Sequence, residues 1–313
     1  MKTPVIFIFF NKIDTTKIVF ERIRLAKPQK LYLVSDGPRE SRNDEKNVVE
    51  SLRGWVEQNI DWECDVIKDY SDHNMGCKNR VISGITNAFK IFDRAIIIED
   101  DCKPRDDFFT FCEAILDKYI DNPEVMMVAG SNLLPRDYYT IKTDYTFSKN
   151  VWIWGWATWK RAWDLYDPDI RDWNINKNNG FIENIFRDSK RQKQIIDELD
   201  LVCNHEMDTW DYQWGYCVWK NNGLCVIPNH TLIENLGFGI PEALHTVDDM
   251  PDYLKKTYKD IYSYDKDIQF IETIERNNEF DFQYDKMMRQ EYSIFKRLWR
   301  RIRLYRDKFI HVK

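Results

Sequence analysis

Three consecutive acids, Glu99, Asp100 and Asp101, directly follow the apolar residues 95–98. Carboxylates this close repel one another unless a cation neutralises them. Hard oxygen ligands suit Mg²⁺ or Mn²⁺, which hold phosphates while bound by only one or two protein carboxylates. In extended backbone Glu99 and Asp101 face one way and Asp100 the other. The alternative is that an aspartate begins a turn and Glu99 is merely solvated, but the position behind a buried-looking strand favours a metal.

A second candidate is Asp211, which lies between tryptophans in the stretch WDYQW at 210–214. Partial desolvation by these rings would raise the pKa of the carboxyl towards neutrality, where it can accept a proton as a general base. The alternative is an ordinary acid in the first turn of a helix, with Asp208 as the cap.

Other polar positions are weaker candidates. Lys12 follows the first apolar run and could contact a pyrophosphate, although a loop lysine is usually just solvated. His245 could reach a phosphate or a metal, although a lone histidine is more often structural. Gly237 and Gly239 would let the backbone approach a ligand closely.

The elements that position these residues follow from hydrophobic periodicity. Apolar stretches of strand length alternate with stretches of helical spacing, which predicts an α/β fold with a mostly parallel sheet covered by helices on both faces. Ligands of such sheets bind beyond the carboxyl ends of the strands. Four polar strand ends should therefore meet at one edge: Asn11-Lys12, Ser35-Asp36-Gly37, Glu99-Asp100-Asp101 and Gly130-Ser131-Asn132.

Composition narrows the function classes. Apolar residues make up 43% and aromatic residues 15% of the 313 residues, too much buriable surface for a disordered chain. The formal net charge of -6 argues against a nucleic-acid binder. Seven cysteines without a C-x-x-C pair fit reduced thiols rather than disulfides or zinc. Without a secretory pattern or the roughly 20 apolar residues of a spanning helix, a cytoplasmic location is expected.

The regular alternation stops at about residue 133, and the chain becomes charged and helical from about residue 250. The segment 296–313 holds eight Lys or Arg and one acid, with apolar residues at helical spacing. That pattern is typical of a helix that lies on the surface of an anionic membrane, which here would be the inner face of the cytoplasmic membrane. The alternative is an amphipathic helix packed on the main domain.

Seven motifs occur in order along the chain: IFIFFNK, YLVSDG, NMGCKNRVISGI, IIIEDDCKPRDDFFTFC, WIWGWATWKRAWDLYD, WDYQWGY and NLGFGIPEALHT. Together they resemble GT-A-fold glycosyltransferases, specifically bacterial proteins similar to N-acetylglucosaminyltransferase I. The resemblance implies a Rossmann-like catalytic domain over 1–250, with a nucleotide-sugar part at about 1–132 and an acceptor part at about 133–250. Residues 251–313 would be a charged helical extension without a counterpart in the family, and the luminal anchor of the eukaryotic enzymes is missing.

The resemblance also implies roles for the strand-end residues. Asp101 would be the direct ligand of Mn²⁺ or Mg²⁺ on the nucleotide diphosphate. Asp100 would face the ribose, and Glu99 the donor sugar. Asp36 matches the acid that reads the base, and Lys12 stands where the family has a basic residue near the phosphates.

The later motifs complete the implied active site. Asp211 matches the family's catalytic base, Trp156 would line the donor or acceptor pocket, and His245 would contact the diphosphate or the metal. The implied activity is an inverting transfer of a sugar from a nucleotide-diphosphate donor, most simply UDP-linked, to a hydroxyl of a glycan or lipid-linked glycan in bacterial surface polysaccharide synthesis. The identities of donor and acceptor do not transfer with the resemblance.

Two other classes compete with a transferase. A metal-dependent phosphatase with an aspartate nucleophile also places acids at strand ends, but it needs an aspartate pair after the first strand, where this chain has Asn11-Lys12. A carbohydrate-binding protein could use the twelve tryptophans as stacking platforms and would need neither the acidic triplet nor a base.

Overall fold

The computed structural model describes residues 1–239, 250–259, 264 and 267–291. Ten strands lie in these ranges: β1 (Val5–Phe9), β2 (Lys30–Ser35), β3 (Asp65–Tyr70), β4 (Arg94–Glu99), β5 (Cys102–Pro104), β6 (Val125–Ala129), β7 (Tyr145–Ser148), β8 (Trp156–Trp159), β9 (Leu224–Pro228) and β10 (Ile233–Asn235). Eleven helices accompany them: α1 (Ile13–Ala26), α2 (Glu45–Gln58), α3 (Cys77–Ala88), α4 (Phe108–Lys118), α5 (Lys160–Trp163), α6 (Trp173–Asn178), α7 (Phe181–Ile185), α8 (Ser189–Cys203), α9 (Asp211–Lys220), α10 (Asp252–Lys259) and α11 (Asn278–Glu291).

The central sheet has eight strands in the order β3-β2-β1-β4-β8-β6-β9-β7. The strands β3, β2, β1 and β4 pair in parallel, as do β6 and β9. Because β8 is antiparallel to both β4 and β6, these two strands point the same way. The antiparallel edge strand β7 completes the sheet. The predicted α/β fold with a mostly parallel, helix-covered sheet is confirmed.

The sheet is covered on both faces, which explains its continuous apolar strands. In β1, Val5, Phe7 and Phe9 belong to one buried cluster, whereas Ile6 and Ile8 belong to another on the opposite face. Successive side chains of a strand point to opposite faces, so burial on both sides requires an apolar residue at every position. Helices α1, α2 and α4 cover the first face, and α3, α9 and α11 cover the second.

A third cluster lies outside the sheet and packs around α9. Helices α6, α7 and α8 contribute Trp173, Ile182 and Leu199, which are fully buried together with Tyr216 of α9. The irregular aromatic segment after about residue 133 therefore builds a helical layer beside the sheet. This layer fixes the position of α9 and of Asp211 at its first turn.

The described part of the segment after residue 250 packs into the main core. In α11, Phe280 and Met287 are fully buried in the same cluster as α3 and α9, and Leu254 of α10 joins them. The described helices after residue 250 therefore share a buried cluster with α3 and α9. Apolar and charged side chains alternate along α11, so the composition of this segment does not reveal that its apolar side chains are buried. The basic segment 296–313 lies outside the described residues.

None of the helices in the ranges given above is long and apolar enough to cross a membrane.

A buried ion pair ties α11 to the end of β7. Lys149 Nζ lies 2.6 Å from Asp285 Oδ2, and both residues are almost completely buried. The ammonium group also lies 3.7 Å from the centre of the Phe186 ring. Burial lowers the pKa of Lys149 to about 8, although Asp285 opposes the shift. The pair is therefore held together at a substantial cost in desolvation.

We expect Lys149→Met to lower the free energy of unfolding by about 3–5 kcal/mol, because it leaves the Asp285 carboxylate buried without its closest cation. The double variant Lys149→Met, Asp285→Leu should recover most of that loss, since no buried charge remains without a partner. Urea unfolding measures both. Lys193→Met on the exposed pair with Asp197 is the control and should change stability by less than about 1 kcal/mol. Equal stability of Lys149→Met and the control would contradict this account.

Candidate active site

Lys12 and two of the three consecutive acids form an ion cluster at the carboxyl edge of the sheet. The Lys12 Nζ lies 2.7 Å from Asp101 Oδ2 and 3.2 Å from Asp100 Oδ1. The backbone N–H of Phe10 donates to the second oxygen of Asp100 at 3.1 Å. Burial opposes the charge on Lys12, but the two carboxylates outweigh it and raise the pKa of the ammonium group. The sequence predicted the meeting of these strand ends but not the ion pair.

This contact follows from the sheet order. β1 pairs directly with β4, with Ile8 opposite Glu99, so the residues just after each strand lie side by side. Lys12 precedes the first residue of α1, and its side chain extends back over the end of β4. The apolar stretches of both strands are buried, which leaves the first polar residues after them at the rim of the sheet.

A short ribbon brings the glycine-containing loop to the acids. After Asp101 the chain enters β5, which pairs antiparallel with β10, with Cys102 opposite Asn235. The N–H of Leu236 donates to the carbonyl oxygen of Asp101 at 2.7 Å, and the N–H of Gly237 donates to Asn235 Oδ1 at 2.7 Å. Asn235, Leu236 and Gly237, the first residues of this motif, are thus fixed beside Asp101.

Glu99 is the acid that lacks a hydrogen-bond donor among the described residues. Desolvation by the surrounding protein raises its pKa to about 8, and the neighbouring carboxylates of Asp101 and Asp211 act in the same direction, whereas Lys12 opposes them. Asp211 comes from a separate helix more than a hundred positions along the chain. The Asp211 carboxylate thus adds, from a distant part of the chain, to the rise in the pKa of Glu99.

Asp211 is held at the start of α9 by its neighbours. The hydroxyl of Thr209 donates to Asp211 Oδ1, and no described residue donates to Oδ2. The preceding Trp210 is buried and stacks on Trp156 at a centroid distance of 5.8 Å and an interplanar angle of 24°. The hydroxyl of Tyr166 donates to the Trp210 carbonyl oxygen at 3.0 Å. One carboxylate oxygen of Asp211 is thus fixed and the other is free to accept a proton.

Trp156 was expected to line the donor or acceptor pocket, but its side chain lies elsewhere in the structure. Its side chain has no accessible surface, because it lies in β8 beneath the rings of Trp163, Trp210 and Trp214. Its indole Nε1 has no hydrogen-bond partner among the described residues. In this structure Trp156 therefore supports the residues around Asp211 from below and offers no surface to a ligand.

Asp36 uses both carboxylate oxygens within the protein. Oδ1 accepts from the N–H groups of Gly37 and Met75, both at 2.9 Å, and Oδ2 accepts from Asn74 Nδ2 at 3.0 Å and from the Gly76 N–H at 3.1 Å. The side chain is 6% exposed, and burial raises its pKa although these hydrogen bonds oppose the shift. Asp36 thus fixes the loop that leads into α3.

We expect Asp36→Asn to lower the free energy of unfolding by about 1–3 kcal/mol, because the amide nitrogen would face donors that now bind a carboxylate oxygen. The exposed neighbour Asp72 gives a matched control, and Asp72→Asn should stay within about 0.5 kcal/mol of wild type. Thermal and urea unfolding provide the comparison. Undiminished stability together with weakened nucleotide binding would indicate that Asp36 acts on a ligand instead.

The remaining strand end, at Ser131 and Asn132, is committed to other contacts. Asn132 is buried, donates to the Pro228 carbonyl oxygen at 2.9 Å and accepts from the Leu134 N–H at 3.1 Å. Ser131 donates to the Trp154 carbonyl oxygen at 3.1 Å. This end of β6 therefore has a structural role, since β8 separates β6 from β4. His245 lies outside the described residues.

Two supporting features were missed at the level of sequence. Thr209, which orients Asp211, lies just before a helical first turn, and a threonine there is a recognisable signal because its hydroxyl often bonds within the turn. The Phe10 N–H, which binds Asp100, is a backbone group and gives no signal in residue type.

The acids also fit a divalent cation, although no three His, Cys, Asp or Glu side chains of the described ranges are grouped around a common point. Asp101 offers hard oxygen, and the Lys12 ammonium 2.7 Å away occupies the position of a cation beside it. A metal that takes one or two protein carboxylates and completes its shell with phosphate and water matches this donor set.

Comparisons with known proteins give only distant similarity. No family model and no curated protein matches the chain. Among solved structures, a mannosyltransferase from Pyrobaculum calidifontis in complex with GDP-mannose and Mn²⁺ aligns at 13% identity and a TM-score of 0.34, over 52% of this chain and 47% of that chain. S. aureus TarS 1-349 aligns at 10% identity and 0.42, over 76% and 61%. Mouse xyloside xylosyltransferase 1 aligns at 11% identity and 0.33, over 69% and 81%. This chain thus spans less than two thirds of the first two, and similarity at this level does not carry an activity from one protein to another.

Proposed function

We propose that this protein is a nucleotide-sugar glycosyltransferase. The observation that carries the proposal is the cluster of Lys12, Asp100 and Asp101 at the carboxyl edge of a mostly parallel sheet. Opposite charges at this edge suit a diphosphate and its counter-ion. A carboxylate with one free oxygen beside them suits proton removal from an acceptor hydroxyl. The motif resemblance to GT-A-fold transferases similar to N-acetylglucosaminyltransferase I agrees with this arrangement.

In the proposed mechanism Asp211 acts as the general base. Its Oδ2 accepts the proton of an acceptor hydroxyl while that oxygen attacks the anomeric carbon of the donor from the face opposite the nucleotide, which inverts the configuration. Thr209 holds Oδ1 during this step, so the carboxylate keeps its orientation. The packed rings of Trp156, Trp210 and Trp214 beneath it keep the first turn of α9 rigid.

The other end of the site would bind the leaving group. Asp101 would hold Mn²⁺ or Mg²⁺, which when bound neutralises the diphosphate charge. Lys12 would add a fixed positive charge, Glu99 would face the donor sugar and Asp100 the ribose. Asp36 would contribute to the base pocket through the loop that it fixes, and His245 would contact the diphosphate. The same proposal includes a UDP-linked donor and a glycan or lipid-linked acceptor of bacterial surface polysaccharide synthesis. It also includes contact of the segment 296–313 with an anionic membrane.

Nucleotide release from a panel of sugar nucleotides tests this function. A transferase usually hydrolyses its proper donor slowly in the absence of acceptor, so we expect release of nucleoside diphosphate from one or a few donors. The Asp211→Asn protein on the same panel distinguishes this activity from a contaminant. Sugar binding without any release would instead indicate a carbohydrate-binding protein, and release of inorganic phosphate alone would indicate a phosphatase.

A further inference from the structure

The cation next to the acidic triplet in this structure belongs to the protein itself. Lys12 Nζ lies within ion-pair distance of both Asp100 and Asp101, and Asp101 is the acid proposed above to hold the divalent cation. Two positive centres cannot share Asp101 Oδ2 at close range, because like charges repel strongly at such separations. A metal that binds this oxygen therefore displaces the ammonium group from it.

We propose that Lys12 is an exchangeable counter-ion: it neutralises Asp100 and Asp101 in the free protein, is displaced from Asp101 by the divalent cation, and then contacts the diphosphate. This inference rests on the proposed function. It explains how two neighbouring acids remain at a sheet edge without a ligand. It also gives Lys12 two successive partners of the same charge type, first carboxylate and then phosphate.

The side chain has the freedom that such an exchange needs. The Lys12 side chain is 22% exposed and ends a flexible four-carbon stem, whereas Asp101 is 17% exposed. Solvent and small ions can therefore reach the pair. The helical role of Lys12 belongs to its backbone, because its carbonyl oxygen accepts from the Thr16 N–H at 3.0 Å and its side chain does not cap α1. The ammonium group can move without breaking the helix start.

The two acids differ in how tightly the protein holds them. Asp100 Oδ2 is bound by the Phe10 N–H, so Asp100 keeps a backbone partner when Lys12 leaves. Among the described residues, the Asp101 carboxylate is contacted only by the Lys12 ammonium and, weakly, by the Cys102 thiol at 3.6 Å. Asp101 is thus the acid that becomes available for a new cation, and Asp100 is the acid that stays anchored.

The exchange predicts opposite effects of one variant on two ligands. Lys12→Met removes the competing charge, so Mn²⁺ should bind about tenfold more tightly, as measured by electron paramagnetic resonance of free Mn²⁺. The same variant should bind UDP in the presence of saturating Mn²⁺ about tenfold more weakly by calorimetry, because the diphosphate loses a cation. Lys12→Arg keeps the charge and should leave Mn²⁺ affinity within about twofold of wild type.

Lys103→Met is the matched control. It removes a positive charge two residues after Asp101, but the Lys103 ammonium pairs with Glu234 at 3.1 Å. Both affinities should stay within about twofold of wild type. Equal Mn²⁺ affinity of wild type and Lys12→Met, or weaker binding of both ligands by Lys12→Met, would overturn the exchange. If neither the wild-type protein nor any of the variants binds Mn²⁺, but the wild-type protein still releases nucleotide from a sugar donor, the exchange is overturned and the proposed function stands.

A second measurement needs no substitution and applies even if Lys12→Met folds poorly. Reductive methylation of the wild-type protein, followed by mass spectrometry, compares the reactivity of Lys12 with that of Lys17, which lies on α1 away from the acids. Mn²⁺ without nucleotide should increase labelling of Lys12 several-fold and leave Lys17 unchanged. Unchanged labelling of Lys12 at a Mn²⁺ concentration that saturates the protein would refute the displacement.

Discussion

The Asp211→Asn protein is expected to lose sugar transfer by about a hundredfold to ten-thousandfold while it keeps nearly all of its donor affinity. The amide preserves the shape of the side chain and can still accept from Thr209, but it cannot take the proton of an acceptor hydroxyl. Because the diphosphate would bind at the other end of the site, near Lys12, donor binding should be almost independent of this change. Steady-state turnover and calorimetric donor binding on the same preparation separate the two effects.

Asp208→Asn provides the control for charge. Asp208 is exposed and lies three residues before Asp211, so its loss changes the net charge near α9 without touching the proposed base. Its turnover should remain within a few-fold of wild type. If Asp211→Asn keeps wild-type turnover with the donor that wild type uses, the assignment of the base is wrong. If both variants lose activity equally, the negative charge near the start of α9 matters more for turnover than proton transfer to Asp211.

The Asp101→Ala protein is expected to lose metal-dependent nucleotide binding. Of the two acids that pair with Lys12, Asp101 is held less tightly by the protein, since Asp100 also binds the Phe10 N–H, and its carboxylate is the group proposed to connect a cation to the chain. We expect the affinity for UDP in the presence of Mn²⁺ to fall by about 10–100-fold, towards the value that wild type shows with a chelator. Calorimetric titrations with UDP, with and without Mn²⁺, provide the measurement.

Asp106→Ala is the matched control, since it removes an exposed aspartate five residues further along that pairs with Arg22. Its UDP affinity should equal that of wild type in both conditions. Unchanged Mn²⁺-dependent binding by Asp101→Ala would show that another group holds the cation. Lys12 would still have Asp100 as a partner in Asp101→Ala, so we expect the fold to be retained and the loss to be one of binding.

The prediction of the fold succeeded where local pattern and burial coincide. β1, β2 and β4 are apolar at almost every position because helices cover both faces of the sheet, and this requirement can be read directly from residue types. The placement of Lys12 beside Asp100 and Asp101 then follows from strand ends meeting at one edge. No local pattern, however, specifies that β8 enters antiparallel between β4 and β6, because that pairing joins residues far apart in the chain.

Residues of similar type and position in the sequence have different roles, because their surroundings in the folded protein differ. Asp36 and Asn132 both follow strands, but hydrogen bonds with neighbouring loops commit them to structure. Trp156 was expected at a ligand surface, yet three other aromatic rings bury it. Such outcomes depend on which distant segments pack together, and residue type alone does not report them.

The sequence by itself determined that this chain forms a helix-covered sheet with acids at its carboxyl edge, because periodicity and strand burial are local properties of the residues. It also singled out Asp211 as a carboxylate at the start of an aromatic helix. Only the tertiary structure decided that the Lys12 ammonium pairs with both Asp100 and Asp101. These are contacts between groups on different elements, and their distances are set by packing of the whole core.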